Sequence, residues 1–138
     1  MLFFVLACAS DPAPAPAPAA PPAAEKKPAA EVKQGRVIKS ADLKADQEAN
    51  KVPVLIDVRT ADEFASGHVP GAKSIPIDQL DGRVAELEGY KAGEVYLICQ
   101  VGGRSARASS MLGAKGFTTV NVSDGTAGWV AAGFPVEK

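Results

Sequence analysis

The segment Val95-Tyr96-Leu97-Ile98-Cys99 puts a thiol at the end of an apolar run, and Gln100-Val101-Gly102-Gly103-Arg104-Ser105 follows it directly. An apolar run of this length reads as a buried strand. The adjacent glycines cannot extend it, because they mark a loop whose backbone needs conformational freedom. Ser105 then reads as the cap of a helix to about Lys115, with Gly116 as its stop. Ligands of open α/β sheets bind beyond the carboxyl ends of strands. Successive loop amides form an anion-binding nest, and a helix N-terminus carries about half a positive charge. These terms lower a thiol pKa, and the thiolate is the nucleophile. Cys99 therefore reads as a reactive thiol with its activating environment written around it. The competing reading is a buried, inert cysteine, a residue type commonly found in cores. Packing alone gives no reason for a Gly-Gly-Arg loop to follow it.

The rest of the chain supplies elements that could position such a site. Val37–Ile38 is a short strand, and Ser40 is an N-cap for a helix over about Ala41–Asn50. Pro53 resets the chain before the buried-strand run Val54–Val58. Thr60 and Glu63 have the spacing of a capping box, which predicts a short helix to about Ser66. Gly67, Pro70 and Gly71 mark a loop. Ser74–Ile77 is a further short strand, and Asp78–Glu88 a polar helix interrupted by Gly82. Thr119–Val122 is a last strand, and a helix over about Ala127–Ala132 ends at Gly133. Strands alternating with helices predict a parallel sheet covered on both faces.

Composition divides the chain. Of the 11 Pro in the 138 residues, seven fall between residues 11 and 30, whereas all 13 Gly lie from Gly35 onward. Residues 9–34 read as a Pro/Ala linker and residues 35–138 as one folded domain. The linker carries too little apolar surface to offset its own ordering entropy. As polyproline II it would reach roughly 80 Å at about 3.1 Å per residue. Residues 1–8, Met-Leu-Phe-Phe-Val-Leu-Ala-Cys, resemble the end of a bacterial lipoprotein signal. That resemblance implies a lipidated Cys8, a membrane tether and a location in the bacterial cell envelope facing the periplasm. The alternative is a cytoplasmic protein with an apolar tip. The net charge of −1 leaves no electrostatic footprint for nucleic acid. Two Cys cannot build a disulfide-dense scaffold. No apolar run is long enough for a membrane-spanning helix.

The domain resembles the rhodanese-like sulfurtransferases. Three segments carry the resemblance. The first is Leu55-Ile56-Asp57-Val58-Arg59 with Glu63-Phe64 and Gly67-His68-Val69-Pro70-Gly71-Ala72. The second is the loop Cys99-Gln100-Val101-Gly102-Gly103-Arg104-Ser105, and the third is Asn121-Val122 with Gly125 and Gly128-Trp129. The resemblance implies an α/β fold with a parallel sheet flanked by helices on both faces. It also implies a two-step transfer in which Cys99 takes a sulfane sulfur from thiosulfate or a persulfide-type donor. A thiol or cyanide then removes that sulfur, and neither cofactor nor metal is called for. Covalent catalysis of this kind splits one transfer into two, with loop amides from Gln100 to Ser105 stabilising the persulfide.

Two rivals stand beside this reading. Related phosphatases and arsenate reductases place five residues between Cys and Arg, whereas four separate Cys99 from Arg104. A non-catalytic rhodanese-like binding module is the other, and its usual mark is loss of the Cys. Where many active relatives carry a basic residue after the Cys, this chain has Gln100 and Val101, which weakens its hold on thiosulfate in particular. Asp124-Gly125 stands where relatives often have Gly-Gly, and an acidic side chain near the mouth would disfavour anionic donors.

Arg104 of the loop and four supporting candidates, Asp57, Arg59, His68 and Trp129, complete the site. Arg104 either binds the donor's sulfonate or closes the loop by pairing with a carboxylate such as Asp57. Asp57 and Arg59 match the family's Asp-x-Arg signature and read as architectural. His68 is the sole His; transfer from a preformed thiolate needs no base, so it reads as structural. Trp129 reads as core, with the pocket wall as the alternative.

Overall fold

The computed structural model describes residues 35–138. Cys8, the signal-like segment and the linker 9–34 lie outside the described residues.

The apolar runs form the centre of the sheet. β2 (Val54–Asp57) and β4 (Glu94–Ile98) are buried nearly throughout, as expected of parallel strands covered on both faces. With β1 (Arg36–Ile38), β3 (Ala72–Ser74) and β5 (Thr118–Val122) they make a five-stranded sheet of order β1-β5-β4-β2-β3, parallel at every pairing. Alternating side chains feed two cores. Val54, Ile56, Val95, Leu97 and Cys99 pack with Leu80, Ala108 and Leu112 on one face. Leu55, Tyr96, Ile98, Val120 and Val122 pack with Leu43 and Trp129 on the other. The first face is covered by α3 (Ile77–Leu80), a 3-10 helix (Asp81–Tyr90) and α4 (Gly103–Ala114). The second is covered by α1 (Ser40–Glu48) and α5 (Gly125–Ala131).

The chain leaves β2 toward β3 and leaves β4 toward β5, in opposite directions along the sheet. The C-terminal ends of these neighbours, registered at Asp57 and Ile98, mark the topological switch point, beyond which such sheets bind ligands.

Several local expectations shift. α2 (Ala61–Ser66) begins as predicted, with Glu63 N–H donating to Thr60 Oγ1 and Thr60 N–H to Glu63 Oε2. The edge strand ends at Ser74 rather than Ile77, because Pro76 has no N–H to give the ladder and instead precedes α3. The polar helix of 78–88 is one short α turn followed by 3-10 helix. Gly82 and Gly89 lie within it, and each weakens α-helix by about 1 kcal/mol. Ser40 is not an N-cap. It is the first residue of α1, and its N–H and Oγ–H both reach Asp124 Oδ1 at 2.8 Å.

Candidate active site

The cradle is built first from backbone. Cys99 follows the last residue of β4, and its carbonyl accepts Thr126 N–H at 2.8 Å. The Gln100 carbonyl accepts Ala127 N–H at 3.0 Å. The start of α5 thus holds the first two residues of the loop. Gly125 makes the approach possible: its φ is +61°, and a Cβ there would overlap the Cys99 carbonyl. Gly102, at φ +91°, backs onto Ser123, whose carbonyl a Cβ would meet. This left-handed residue stands immediately before α4, the position the sequence assigned to Ser105. Ser105 instead lies inside the first turn, fully buried, with its hydroxyl turned under the loop.

The thiol sits within that cradle, with Cys99 only 1% exposed. Gly102 N–H points at Sγ from 3.0 Å, and Ser105 Oγ lies 3.5 Å from it. Burial pushes the thiol pKa up. Hydrogen bonds from the Ser105 hydroxyl and from the amides of Ser105, Val101 and Gly102 outweigh that, and the net pKa is below that of an ordinary thiol. In the geometry, the loop amide within hydrogen-bond distance of the sulfur is that of Gly102.

Charged side chains meet the loop from the other side. Arg59 is buried against Asp57, with Nη2 2.7 Å from Oδ2 and Nε 3.0 Å from Oδ1. Its remaining donors reach the Gly67 carbonyl at 2.7 Å and Gln100 Oε1 at 3.3 Å. Arg104 is paired, but with Glu63 rather than Asp57: Nη1 and Nη2 lie 2.7 and 2.8 Å from the two carboxylate oxygens. That fork, with help from Thr60, holds the Glu63 carboxyl down at about 2. It also raises Arg104, with a smaller contribution from Cys99. Val101 is 70% exposed at the loop's outer side, and Gly103 is exposed as well.

His68 makes its contacts with Phe64 and Glu137 rather than with Cys99. Its ring stacks on Phe64 at 3.7 Å, its Nδ1 lies 2.9 Å from the Phe64 carbonyl, and its backbone forms an antiparallel bridge with Glu137. Trp129 belongs to the core on the sheet face opposite Cys99 and donates Nε1–H to the Pro135 carbonyl. The pocket-wall alternative gives way to the core reading. Asp124 is spent on Ser40 and so ties α1 to the start of α5. Two contacts were not foreseen. Glu63 reads from sequence as a capping residue and part of a motif, and Asn121, whose Oδ1 lies 2.6 Å from Ser105 Oγ, only as part of a motif. Among the described residues no cluster of His, Cys, Asp and Glu could hold a metal ion.

The family model of the rhodanese-like domain matches residues 39–132. The Bacillus subtilis protein YqhL, named uncharacterized, is 37% identical over 99 residues, covering 71% of this chain and 77% of its own. Thiosulfate sulfurtransferase 18 of Arabidopsis thaliana is 36% identical over 94 residues, covering 59% of this chain and 69% of its own. The crystal structure of a rhodanese-related protein from Thermoplasma volcanium superposes with a TM-score of 0.67 at 31% identity, covering 74% of this chain and 97% of that one. The chain belongs to the rhodanese-like domain family.

Proposed function

We propose that this rhodanese-like protein is a sulfurtransferase that carries a sulfane sulfur on Cys99. The Cys99 thiolate attacks the outer sulfur of the donor. An S–S bond forms to Sγ, the donor's own S–S bond breaks, and its electron pair leaves with sulfite or with the donor thiolate. An acceptor thiolate or cyanide then attacks the terminal sulfur and returns Cys99 as thiolate. The observation that carries the reading is the cradle itself: a buried Sγ at the end of β4 with the Gly102 amide 3.0 Å away. Fixed dipoles of this kind stabilise the anionic sulfur without reorganisation.

Donor choice follows from the charges. Both arginines that reach the loop are already paired, Arg59 with Asp57 and Arg104 with Glu63. Gln100 is neutral and Val101 apolar. The mouth therefore offers amides rather than free cations, which favours a persulfide-type donor over dianionic thiosulfate. The four-residue spacing between Cys99 and Arg104 supports sulfur chemistry over phosphate or arsenate chemistry.

The test uses the full chain and its Cys99→Ser variant. Each is treated with thiosulfate or a polysulfide and digested, and the peptide containing Cys99 is weighed. Cyanide is then added and thiocyanate measured. One added sulfur on wild type alone, released as thiocyanate, is expected, with complete loss in Cys99→Ser. No sulfur from either donor overturns the proposal. The envelope location rests on residues 1–8 and the linker and is a separate part of the proposal. A palmitate analogue fed to expressing cells should label wild type and not Cys8→Ser.

A further inference from the structure

We propose that Asn121 is a positioning residue for Cys99 that acts through Ser105, by setting the direction in which the Ser105 hydroxyl points. The inference rests on the sulfurtransferase reading for its purpose, though not for its test. Ser105 is fully buried, and Asn121, on β5, is 7% exposed. Three acceptor atoms surround Ser105 Oγ: Asn121 Oδ1 at 2.6 Å, the Gly102 carbonyl at 3.1 Å and Cys99 Sγ at 3.5 Å. A serine hydroxyl has one proton to donate and two lone pairs to receive with. It can serve only one of the three at a time.

With Cys99 as a thiol the chain of donors runs outward. The S–H donates to Ser105 Oγ, and Ser105 donates to Asn121 Oδ1, its nearest acceptor. With Cys99 as a thiolate the sulfur has lost its proton, and the chain must reverse. Ser105 O–H turns to Sγ, and Oγ is left to accept. Asn121 can supply that donor, because its amide has a carbonyl at one end and an NH₂ at the other in nearly the same shape. Turning the amide presents Nδ2–H to Ser105 Oγ. Among the described residues the Asn121 side chain bonds to Ser105, so the turn replaces Oγ–H···Oδ1 with Nδ2–H···Oγ and breaks no other. Only the amide's Oδ1 and Nδ2 exchange places, and the only proton that leaves is the thiol's own. Without the amide the hydroxyl is drawn to the Gly102 carbonyl, which is nearer than the sulfur. Hydrogen bonds in such a chain also polarise one another.

Other charged groups near the site come from every side: Asp57 and Arg59 beyond the end of β2, Glu63 from α2, Arg104 from α4 and Asp124 before α5. Each remains in place when Asn121 is changed, so a double-mutant cycle isolates the Ser105 route.

The experiment follows the rate of iodoacetamide alkylation of the Cys99 peptide against pH, in the full chain, with no sulfur donor present. Asn121→Leu is expected to move the profile to higher pH and to slow alkylation at neutral pH about threefold. Ser105→Ala is expected to slow it about tenfold. The plateau at high pH, where every thiol is ionised, stays unchanged in both. Asn121→Leu added to Ser105→Ala is expected to change nothing further. Asn121→Asp, closer in shape, provides the second arm should the Leu variant fail to fold. Its carboxylate can only accept, so it should shift the profile further up, and by more with Ser105 present than with Ser105→Ala. Shifts that are absent, or equal with and without Ser105, overturn the inference. Because the readout needs no sulfur transfer, its result is independent of the thiocyanate assay that tests the function.

Discussion

The loop that carries Cys99 is held on its two sides by different means. On the β5–α5 side, backbone touches backbone. Gly125 lies under the Cys99 and Gln100 carbonyls, and Gly102 lies against Ser123. On the β2–α2 side, charged side chains do the holding, through Asp57–Arg59 and Glu63–Arg104. A backbone contact has no rotamer to change and no charge to screen, so it sets where the sulfur sits. The ion pairs divide in turn by depth. Asp57–Arg59 is almost wholly buried, whereas Glu63 and Arg104 are each about one-third exposed. The buried pair is structural, and in the proposed function the outer pair would set the charge that an approaching donor meets.

The largest effect should come from breaking the buried pair. Arg59→Ala leaves the Asp57 carboxylate buried without its counter-ion, with the backbone N–H of residue 59 still donating to it, and takes a donor from Gln100. About 3–5 kcal/mol of stability should be lost, read as a fall in the urea midpoint. A loss under about 1 kcal/mol would move this pair into the same class as the exposed one. Next comes the backbone side. Gly125→Ala combines a left-handed φ with overlap against the Cys99 carbonyl, and should cost about 2–4 kcal/mol. It should also abolish thiocyanate formation in whatever protein remains folded. If Gly125→Ala keeps full activity, the backbone does not set the sulfur's position and the comparison fails.

The smallest effect belongs to the outer pair. Glu63→Gln should cost about 0.5–1 kcal/mol while releasing Arg104 toward the mouth. The KM for thiosulfate should then fall roughly threefold with kcat little changed, a preference worth roughly 0.7 kcal/mol. An unchanged KM would remove Arg104's pairing from the account of donor choice. Acid sharpens the same point. The Glu63 pKa is lowered in the folded state, from an ordinary 4.5 to about 2. The pair's stabilisation is therefore fully present above pH 4.5 and is lost as pH falls through about 2. The stability difference between wild type and Glu63→Gln should follow that course in urea titrations at successive pH values.

Much of this was legible in the chain, and the part that was not has a common cause. Val54–Val58 and Val95–Cys99 declare themselves as strands through unbroken apolar character, which burial on both faces requires. Thr60 and Glu63 declare a helix start because both members of the capping box lie within one turn. Gly116 and Gly133 declare helix ends, and both take positive φ. Cys99 before two glycines declares a thiol at a strand end. All of these are local, decided by residues within a turn or a strand of one another.

What the tertiary structure decided involves partners far apart in the chain. Arg104 was expected to bind the donor or to pair with a carboxylate such as Asp57, and the position of α2 relative to α4 supplies Glu63 instead. Asp124 had an acidic charge that suggested the mouth, and the approach of α1 turns it to Ser40. Ser105 had the type of a helix cap. The left-handed Gly102 takes the position before the helix, and the parallel register of β4 with β5 brings Asn121 under the Ser105 hydroxyl. A hydroxyl or carboxylate can satisfy itself in several local ways of similar energy. The packing of the sheet and its helices removes all but one, and for that reason the thiol's place at a strand end could be read from sequence while its partners could not.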